Sequence, residues 1–522
     1  MFFNNKILVG KNNEKELFIE PHMANRHGLI TGASGSGKTI TLKVMAESFS
    51  SMGVPVFLSD IKGDLAGTCM PGESNEKIQE RLNSIGISNF EFKGFPTVFW
   101  DVFAKSGHPI RTTLSSVGPT MLARMLGLNE TQEGVLAIIF KIARENNLEL
   151  IDLKDLQLLL QYVAANSKEY TISYGNIAAQ SVGTIQRSLL MLEEQGGDHF
   201  FGEPAIELND LLKTNVNGMG NINILHSTEL YKYPVLYATF MLWLLNMINN
   251  NMPEVGDLDK PKMVFFFDEA HLLFDDLPKY ILEQVIQIVK LIRSKGVGIF
   301  FISQSPNDIP DEILAQLGNK VQHTLRAYTP AEQKVVKAVS SSFRANPMFD
   351  TEEAILGLGT GEALISFLNE KGEPNIVEKA TILPPQSQMG TIDDPLRLMI
   401  ISRSEFMGKY DTLIDRESAF EILSKEIEEK NAALEEELRQ KEERKIQEEE
   451  EKAQAKAEKE AERIRKEEER QKKELEKEAE KQRKNSWQYK VGKQAERTAN
   501  ATINSMARRA ATQMIKSLFG KK

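Results

Sequence analysis

The sequence predicts an α/β protein built on a mostly parallel sheet. Short apolar runs, each about the length of a buried strand, alternate along the chain with segments whose apolar residues recur at helical spacing. Strands separated by helices favour a parallel sheet with helices on both of its faces. The candidate strands are 27–31, 54–59, 97–103, 222–226, 263–267, 298–303, 321–326 and 362–368.

A glycine-rich octet lies between the first candidate strand and a segment with helical spacing at 41–49. It fits G-x-x-x-x-G-K-[ST] at every fixed position, the pattern of a P-loop, whose backbone N–H groups and following helix N-terminus bind phosphate. We expect Lys38 to reach the β- and γ-phosphates of ATP and the Thr39 hydroxyl to ligate Mg²⁺. The predicted nucleotide-binding residues are Gly32, Ala33, Ser34, Gly35, Ser36, Gly37, Lys38 and Thr39.

Two consecutive acids follow the apolar run 263–267, as when a buried strand ends at the edge of an active site. We expect Asp268 to hold Mg²⁺, directly or through water, and Glu269 to orient and polarise the attacking water. The next strand ends before Gln304, where a polar side chain faces the ligand crevice of a doubly wound sheet. Gln304 is therefore a candidate sensor of the terminal phosphate. Asp60, after 54–59, fits a role near the magnesium or a structural role equally well.

Arginines are candidates for neutralising the charge that develops during phosphoryl transfer. Arg293, at the end of the helix after the acid pair, also fits a cation that stabilises a helix C-terminus. Arg26 and Arg326 are two further candidates. His271 completes the letters D-E-A-H of a helicase class, but the arginine-rich motif of that class is not found downstream. We expect His271 to begin a helix or to couple the site to its surroundings.

Composition limits the class of protein and its surroundings. The 522 residues are too many for one hydrophobic core, and the net charge of −10 excludes a globally basic nucleic-acid binder while leaving local basic patches open. The single cysteine, Cys69, fits a reducing cytoplasm. No signal peptide is visible, and the longest apolar run, 235–248, is too short for a bilayer and predicts a buried helix. We therefore expect a cytoplasmic protein without integral membrane association.

Changes in pattern divide the chain into five parts. Residues 1–104 and 216–404 are the predicted halves of the α/β core, and 105–215 is a helical insertion with helices at 114–126, 134–146, 151–165 and 181–194. Residues 405–484 alternate acidic and basic clusters, with pairs such as Glu437/Lys441 and Glu462/Lys466. Such pairs favour a long solvated helix over a coiled coil, whose apolar seam is sparse here. Residues 485–522 form a basic tail that fits nucleic acid, an acidic membrane surface, the acidic helix, or no dedicated partner.

Taken together, these motifs resemble those of the HerA/FtsK superfamily of P-loop motors, and most closely the bacterial HerA-like (YjgR-type) ATPases. The matching pieces are 26–28 before the P-loop, 60–65 after the second strand, 263–271, and 302–306. The resemblance covers about residues 1 to 400. It implies a RecA-like core in a hexameric ring with ATP bound between subunits. It makes Arg293 the arginine that acts in trans, and Arg26 matches a second arginine placed shortly before the P-loop.

The resemblance also implies partners. Family members typically pump double-stranded DNA, and HerA works beside a nuclease. Few residues precede the first candidate strand, so we do not expect the N-terminal β-barrel that HerA carries, and this difference leaves the DNA substrate and the nuclease open. Two functions follow: a ring-forming, ATP-driven DNA translocase or helicase, or an ATP-switched assembly or protein-remodelling factor that does not act on DNA.

Overall fold

The computed structural model describes residues 2–3, 5–256, 258–274 and 279–485. Two compact units make up the chain, Met1–Glu426 and Ile427–Lys522. The strands of the first unit are β1 Phe2–Phe3, β2 Lys6–Lys11, β3 Glu16–Ile19, β4 Gly28–Thr31, β5 Val56–Asp60, β6 Thr97–Asp101, β7 His108–Pro109, β8 Ile222–His226, β9 Met263–Phe267, β10 Val297–Ser303, β11 Asn319–Gln322, β12 Glu362–Ser366 and β13 Glu378–Ile382.

The α-helices of the described residues alternate with the strands or cluster between β7 and β8. They are α1 Lys38–Ser51, α2 Glu76–Ser84, α3 Leu114–Val117, α4 Pro119–Met125, α5 Glu130–Glu145, α6 Leu153–Ala165, α7 Ser167–Tyr174, α8 Ala179–Glu194, α9 Gly197–Phe200, α10 Leu208–Leu211, α11 Pro234–Asn251, α12 His271–Phe274, α13 Lys279–Ile292, α14 Asp311–Leu314, α15 Pro330–Ser341, α16 Thr351–Leu356, α17 Asp394–Ser402 and α18 Ala419–Asn485.

The strands form one sheet in the order β1-β2-β13-β12-β11-β4-β10-β9-β5-β8-β6-β7, with β3 beside β2. From β11 to β7 every neighbouring pair is parallel. The pairs that involve β12, β13 and β1 to β3 are antiparallel. The predicted α/β fold with a mostly parallel sheet is therefore confirmed, and it continues into an antiparallel extension that apolar runs alone did not indicate.

The helix α1 packs its apolar residues onto the centre of this sheet. Leu42, Met45 and Phe49 are fully buried against residues of β4, β5, β9 and β10. The ring of Phe49 lies 6.2 Å from that of Phe266 and 6.1 Å from that of Phe300, measured between centroids. Aromatic burial of this kind contributes a few kcal/mol per side chain and holds the helix against the sheet.

Charged side chains of α1 also hold a later part of the chain. The buried Glu47 carboxylate accepts hydrogen bonds from the backbone N–H of Gln386 at 2.7 Å and of Ser387 at 3.2 Å. Lys43, also buried, donates to the carbonyl of Gln388. We call residues 384–390 the strap, because this segment crosses α1 and is bound by it through buried charges.

One predicted helix is divided in the structure, and another forms as predicted. The segment 114–126 is broken into α3 and α4, because Gly118 adopts φ +75° and Pro119 begins the second helix. The apolar run 235–248 forms the buried helix α11, as predicted. Within the described ranges no helix combines the length and apolar character that crossing a bilayer requires.

The second unit contains most of α18. Its side chains from Glu428 to Gln482 are exposed. Lys441 Nζ lies 2.6 Å from Glu437 Oε1, and Lys466 Nζ lies 2.7 Å from Glu462 Oε1, so both pairs predicted from the spacing form. The long charged helix is confirmed, whereas a coiled coil stays a prediction. The predicted basic tail, 485–522, lies outside the described residues from residue 486 onward.

Candidate functional site

The parallel register brings the predicted site residues to one edge of the sheet. β10 lies between β4 and β9, with Ser303 opposite Thr31 and Phe301 opposite Phe267. Ser59 of β5 pairs with Phe267, which sets Asp60 beside Asp268. The P-loop, Gln304 and the acid pair therefore leave neighbouring strands at the same carboxyl-terminal edge, where such sheets bind ligands.

Glycine is required at two P-loop positions by backbone conformation. Gly32 has φ +152° and Gly37 has φ +115°, conformations that other residues rarely adopt. A Cβ on Gly32 would lie 2.5 Å from the Cβ of His323. The loop is thus a close-fitting backbone turn, and Gly37 caps the N-terminus of α1, which begins at Lys38.

Lys38 lies across this turn. Its Nζ donates to the carbonyls of Gly32 at 2.7 Å and Ala33 at 3.2 Å. Burial lowers the pKa of Lys38, while the carboxylates of Glu269 and Asp268 oppose that shift. The parallel register places this lysine at the same edge of the sheet as the acid pair.

Asp268 is 2% exposed and has one carboxylate oxygen without a hydrogen-bond partner among the described residues, Oδ2. Its Oδ1 accepts from the backbone N–H of Glu269 at 3.0 Å. Burial raises the pKa of Asp268 to about 6. A buried carboxylate with a bare oxygen is a site for a cation, because an unpaired buried charge is costly.

Glu269 has a different environment from its neighbour. Its Oε1 forms an ion pair with Lys62, and its Oε2 lies 3.3 Å from Nδ1 of His271. Burial raises the pKa of Glu269, but Lys62, His271 and Lys38 together bring it below its ordinary value. Glu269 also has φ +47°, an unusual conformation for a residue other than glycine. His271 begins α12, as expected, and contacts the acid as well.

Lys62 is the site residue that sequence reasoning missed, although its loop was among the quoted motifs. The loop 60–65 is shaped by Asp60, whose carboxylate accepts from the N–H of Gly63 at 2.8 Å and of Leu65 at 3.2 Å. Asp60 is fully buried, and burial raises its pKa to about 7. These bonds show a structural role for Asp60, next to Asp268.

His323 packs against the P-loop at Gly32. Sequence analysis did not predict this residue as part of the site. Its Nδ1–H donates to the Glu362 carbonyl at 3.0 Å, and its Nε2 therefore accepts from the Thr41 hydroxyl at 2.8 Å. Burial lowers the pKa of His323 to about 4, so the ring is neutral at pH 7. The only sequence signal was a histidine inside the candidate strand 321–326.

The other predicted residues fall into two groups. Thr39 is half-buried in the first turn of α1, and Gln304 is exposed at the end of β10, on the same edge as the P-loop. Arg293 begins a 3-10 turn just before β10, at the opposite edge. Because β10 has seven residues, that edge is about 20 Å from the P-loop. Arg26 precedes β4 at that opposite edge, and Arg326 is exposed beyond β11.

Comparison with known proteins assigns the family. Residues 5–521 match the helicase HerA-like C-terminal family. The chain belongs to this family. Membership of the HerA/FtsK superfamily is thus confirmed, and the motifs quoted above are those of a HerA-like protein.

Similar proteins include two archaeal DNA double-strand break repair helicases named HerA. That of Sulfolobus acidocaldarius is 22% identical over 361 residues, which are 69% of this chain and 65% of the relative. That of Saccharolobus solfataricus is 22% identical over 371 residues, 69% of this chain and 64% of the relative. This HerA-like chain therefore spans slightly less than two thirds of the length of these relatives.

Two solved structures illustrate what this chain is similar to. The bacterial conjugative coupling protein TrwB gives a TM-score of 0.49 at 13% identity, covering 75% of this chain and 93% of TrwB. VirB4 of Thermoanaerobacter pseudethanolicus gives 0.46 at 14% identity, covering 76% of this chain and 99% of VirB4.

The residues of this HerA-like site fit a nucleoside triphosphate and its metal. Gly32 leaves no room for a side chain, as a loop that closes on phosphate requires. The Ser36 hydroxyl and Asp268 Oδ2 are buried without hydrogen-bond partners among the described residues, so both are available to a ligand. Mg²⁺ in such sites is held by one or two protein oxygens together with phosphates. Thr39 and Asp268 are the residues that the sequence predicts to supply those two oxygens.

Proposed function

We propose that this chain is an ATPase that works as a ring-forming, HerA-type DNA translocase or helicase. The observation that supports ATP hydrolysis is the convergence of Lys38, Asp268 and Glu269 at one sheet edge, below a P-loop whose glycines adopt phosphate-binding conformations. A cation, a metal-binding acid and a second acid for water are the parts that hydrolysis of a phosphoanhydride requires.

Each residue has a distinct role in this proposal. The backbone of 32–39 binds the phosphates, and Lys38 exchanges its carbonyl partners for phosphate oxygens. Glu269 accepts a proton from a water whose oxygen bonds to the terminal phosphorus. The bond from that phosphorus to the bridging oxygen breaks, and ADP leaves with the electron pair. Gln304, beside the P-loop strand, contacts the terminal phosphate or the water.

Mg²⁺, held by Thr39 and Asp268, would neutralise charge on the phosphates. The unpaired Asp268 oxygen supports this assignment. Arg293 is too far from the P-loop of its own chain to contact the same nucleotide, which supports a role at the nucleotide of a neighbouring subunit. That arrangement needs a ring, and we propose a hexamer by resemblance.

Double-stranded DNA is the proposed substrate, and a nuclease is a possible protein partner by resemblance to HerA. The support is the family and the names of the two archaeal relatives, which are DNA repair helicases. With a net charge of −10, contacts to the DNA backbone would come from a local basic surface, such as the pore of a ring. The proposed location is the cytoplasm.

The test is ATP hydrolysis by the full chain with and without linear duplex DNA, at low and moderate salt. We expect hydrolysis that duplex DNA stimulates, and stimulation that weakens as salt rises because phosphate contacts release counterions. Hydrolysis without any effect of DNA at all salt concentrations would favour the ATP-switched assembly factor instead. The exposed charged helix of the second unit is the feature that supports this alternative.

The control for the catalytic assignment is Glu269→Gln. Removing the base should lower turnover by about a hundredfold or more while nucleotide still binds. Glu73→Gln, which changes an exposed glutamate in a loop, should turn over ATP like the wild type. If Glu269→Gln left turnover unchanged, the water-activating role would be wrong.

A further inference from the structure

The ion pair between Lys62 and Glu269 has no role in hydrolysis as described above. Glu269 is the acid that must face water, yet one of its oxygens pairs with Lys62 and the other lies 3.3 Å from His271. Glu269 Oε1 is occupied by the Lys62 ammonium, whereas Oε2 has no hydrogen-bond partner among the described residues. Release of Lys62 would free Oε1 and remove the neighbouring cation that weakens Glu269 as a base.

The lysine is placed by a rigid loop but is itself able to move. Its loop is fixed by the two backbone hydrogen bonds to buried Asp60 and by Gly63, which has φ +77°. The Lys62 side chain is 49% exposed, whereas that of Glu269 is 7% exposed. The ammonium therefore covers the acid from the solvent side, on a flexible four-carbon stem that can swing without disturbing the loop.

Glu269 also has a reason to change conformation when the pair opens. Its φ of +47° lies in the left-handed region, which is unfavourable for a residue with a side chain. Such a conformation persists only where surrounding contacts hold it. The ion pair with Lys62 is one of those contacts.

Lys62 reaches the acid that the proposed function places beside the terminal phosphate. Lys38 lies across the P-loop turn, and the register of the sheet brings that turn to the same edge as Asp268 and Glu269. Two cations and two acids therefore lie at one edge of the sheet. A phosphate group arriving between the lysines would attract both, since charge-assisted bonds to phosphate are stronger than a half-exposed ion pair.

We propose that Lys62 is a phosphate-dependent switch: it pairs with Glu269 when no triphosphate is bound and moves to the terminal phosphate when one binds. This movement frees Glu269 for the attacking water and couples activation of the base to the presence of the third phosphate. The inference rests on the proposed triphosphate site. It makes Lys62 the residue that distinguishes ATP from ADP.

The test compares the binding of ADP with that of the non-hydrolysable imido analogue of ATP, both with Mg²⁺, by calorimetry on the full chain. Lys62→Met should weaken binding of the analogue about tenfold, the value of one charge-assisted bond, and leave ADP within about twofold. Lys62→Arg should keep most of the analogue affinity. Lys77→Met, which changes an exposed lysine on α2, should match the wild type for both nucleotides.

A second variant tests the competition between the acid and the phosphate. Glu269→Gln removes the partner that holds Lys62, so the analogue should bind severalfold tighter and ADP should not. That gain should shrink when Lys62→Met is added, because a lysine that is absent cannot be released. A gain of equal size in both backgrounds would show simple charge repulsion and overturn the switch.

The remaining outcomes distinguish a failure of the switch from a failure of the proposed ATPase. If Lys62→Met weakens ADP and the analogue equally, or changes neither, Lys62 is not a terminal-phosphate contact and the switch is wrong while the ATPase proposal stands. If the folded wild type binds neither nucleotide, the proposed function fails and the switch fails with it. Circular dichroism of each variant establishes that it is folded.

Discussion

At the scale of single residues, His27 shows how one ring can join three elements. Its Nδ1 accepts from the N–H of Ile299 at 3.0 Å, and its Nε2–H donates to the carbonyl of Val289 at 3.0 Å. The ring therefore links the start of β4 to β10 and α13. Burial lowers the pKa of His27 to about 4, since protonation would set a second N–H against that of Ile299.

This burial predicts a pH effect on stability. An unfolded histidine has a pKa near 6.5, so between about 6.5 and 4 the unfolded chain binds a proton that folded His27 does not. The free energy of unfolding therefore falls by up to about 3 kcal/mol as the pH is lowered from 6.5 through this window. In urea unfolding at pH 7 and pH 5, His27→Asn should lose less stability on acidification than the wild type does.

The matched control is His22→Asn, at a partly exposed histidine before β4. Its stability should change with pH as that of the wild type does. Parallel changes for the wild type and His27→Asn would show that His27 does not titrate in this window.

The sequence predicted those site residues whose chemistry is specified by a local pattern. The octet 32–39 and the acids 268–269 are contiguous, and strand-to-turn spacing alone predicted where they lie. Lys62 and His323 had no such signal, because their partners are distant in sequence. Lys62 pairs with a residue 207 positions away, and His323 bonds to one 282 positions away. Only the strand order brings these residues together.

At the scale of elements, the P-loop depends on β11, the strand that lies beside β4 in the sheet. Gly32 packs against His323, at the end of β11, and the His323 N–H donates to the Thr31 carbonyl at 2.7 Å. The turn and β11 are therefore built as one unit. A change in the turn is transmitted to the sheet beside it.

Gly32→Ala should disrupt this unit. The new Cβ would lie 2.5 Å from that of His323, at a φ of +152° that alanine rarely adopts. We expect a loss of about 1–3 kcal/mol in unfolding free energy. We also expect nucleotide binding to weaken at least about tenfold, because the backbone N–H groups shift. Urea unfolding and calorimetry with ADP measure the two effects.

Gly134→Ala provides the contrast, since a Cβ there meets no atom within 4 Å and the residue lies in α5. This variant should be as stable as the wild type or slightly more stable. Wild-type nucleotide affinity in Gly32→Ala would contradict the assignment of the P-loop.

Two of the strands that sequence analysis missed, β3 and β13, have a weak local pattern. The strands of the parallel centre are continuous apolar runs because both faces are buried. β3 and β13 are partly exposed and contain charged residues, so their apolar pattern is weak. β13 also pairs with β2, far away along the chain, through Thr381 and Lys11. Such pairing leaves no local signal.

At the scale of the whole molecule, the position of Arg293 predicts cooperation between chains. Arg293→Ala should abolish turnover, and so should Glu269→Gln. If Arg293 serves the nucleotide of a neighbour, mixed rings contain some interfaces that are intact. Mixing the two variants should therefore restore turnover severalfold above either variant alone.

The control is Lys290→Ala, which removes an exposed cation from α13, the helix that ends just before Arg293. This variant should leave turnover unchanged. The ATPase assay is performed at equal total protein, with the mass of the nucleotide-bound assembly measured in parallel. An assembly that forms without any recovery on mixing would show that Arg293 does not act in trans.

The strap has a consequence for how the molecule can be shortened. An ammonium and a carboxylate from the helix after the P-loop are buried beneath residues 384–390. Cutting the chain ahead of that segment would leave two interior charges without their backbone partners, a defect that costs several kcal/mol. A minimal fragment for crystallisation must therefore extend past Gly390, however dispensable the later residues prove to be.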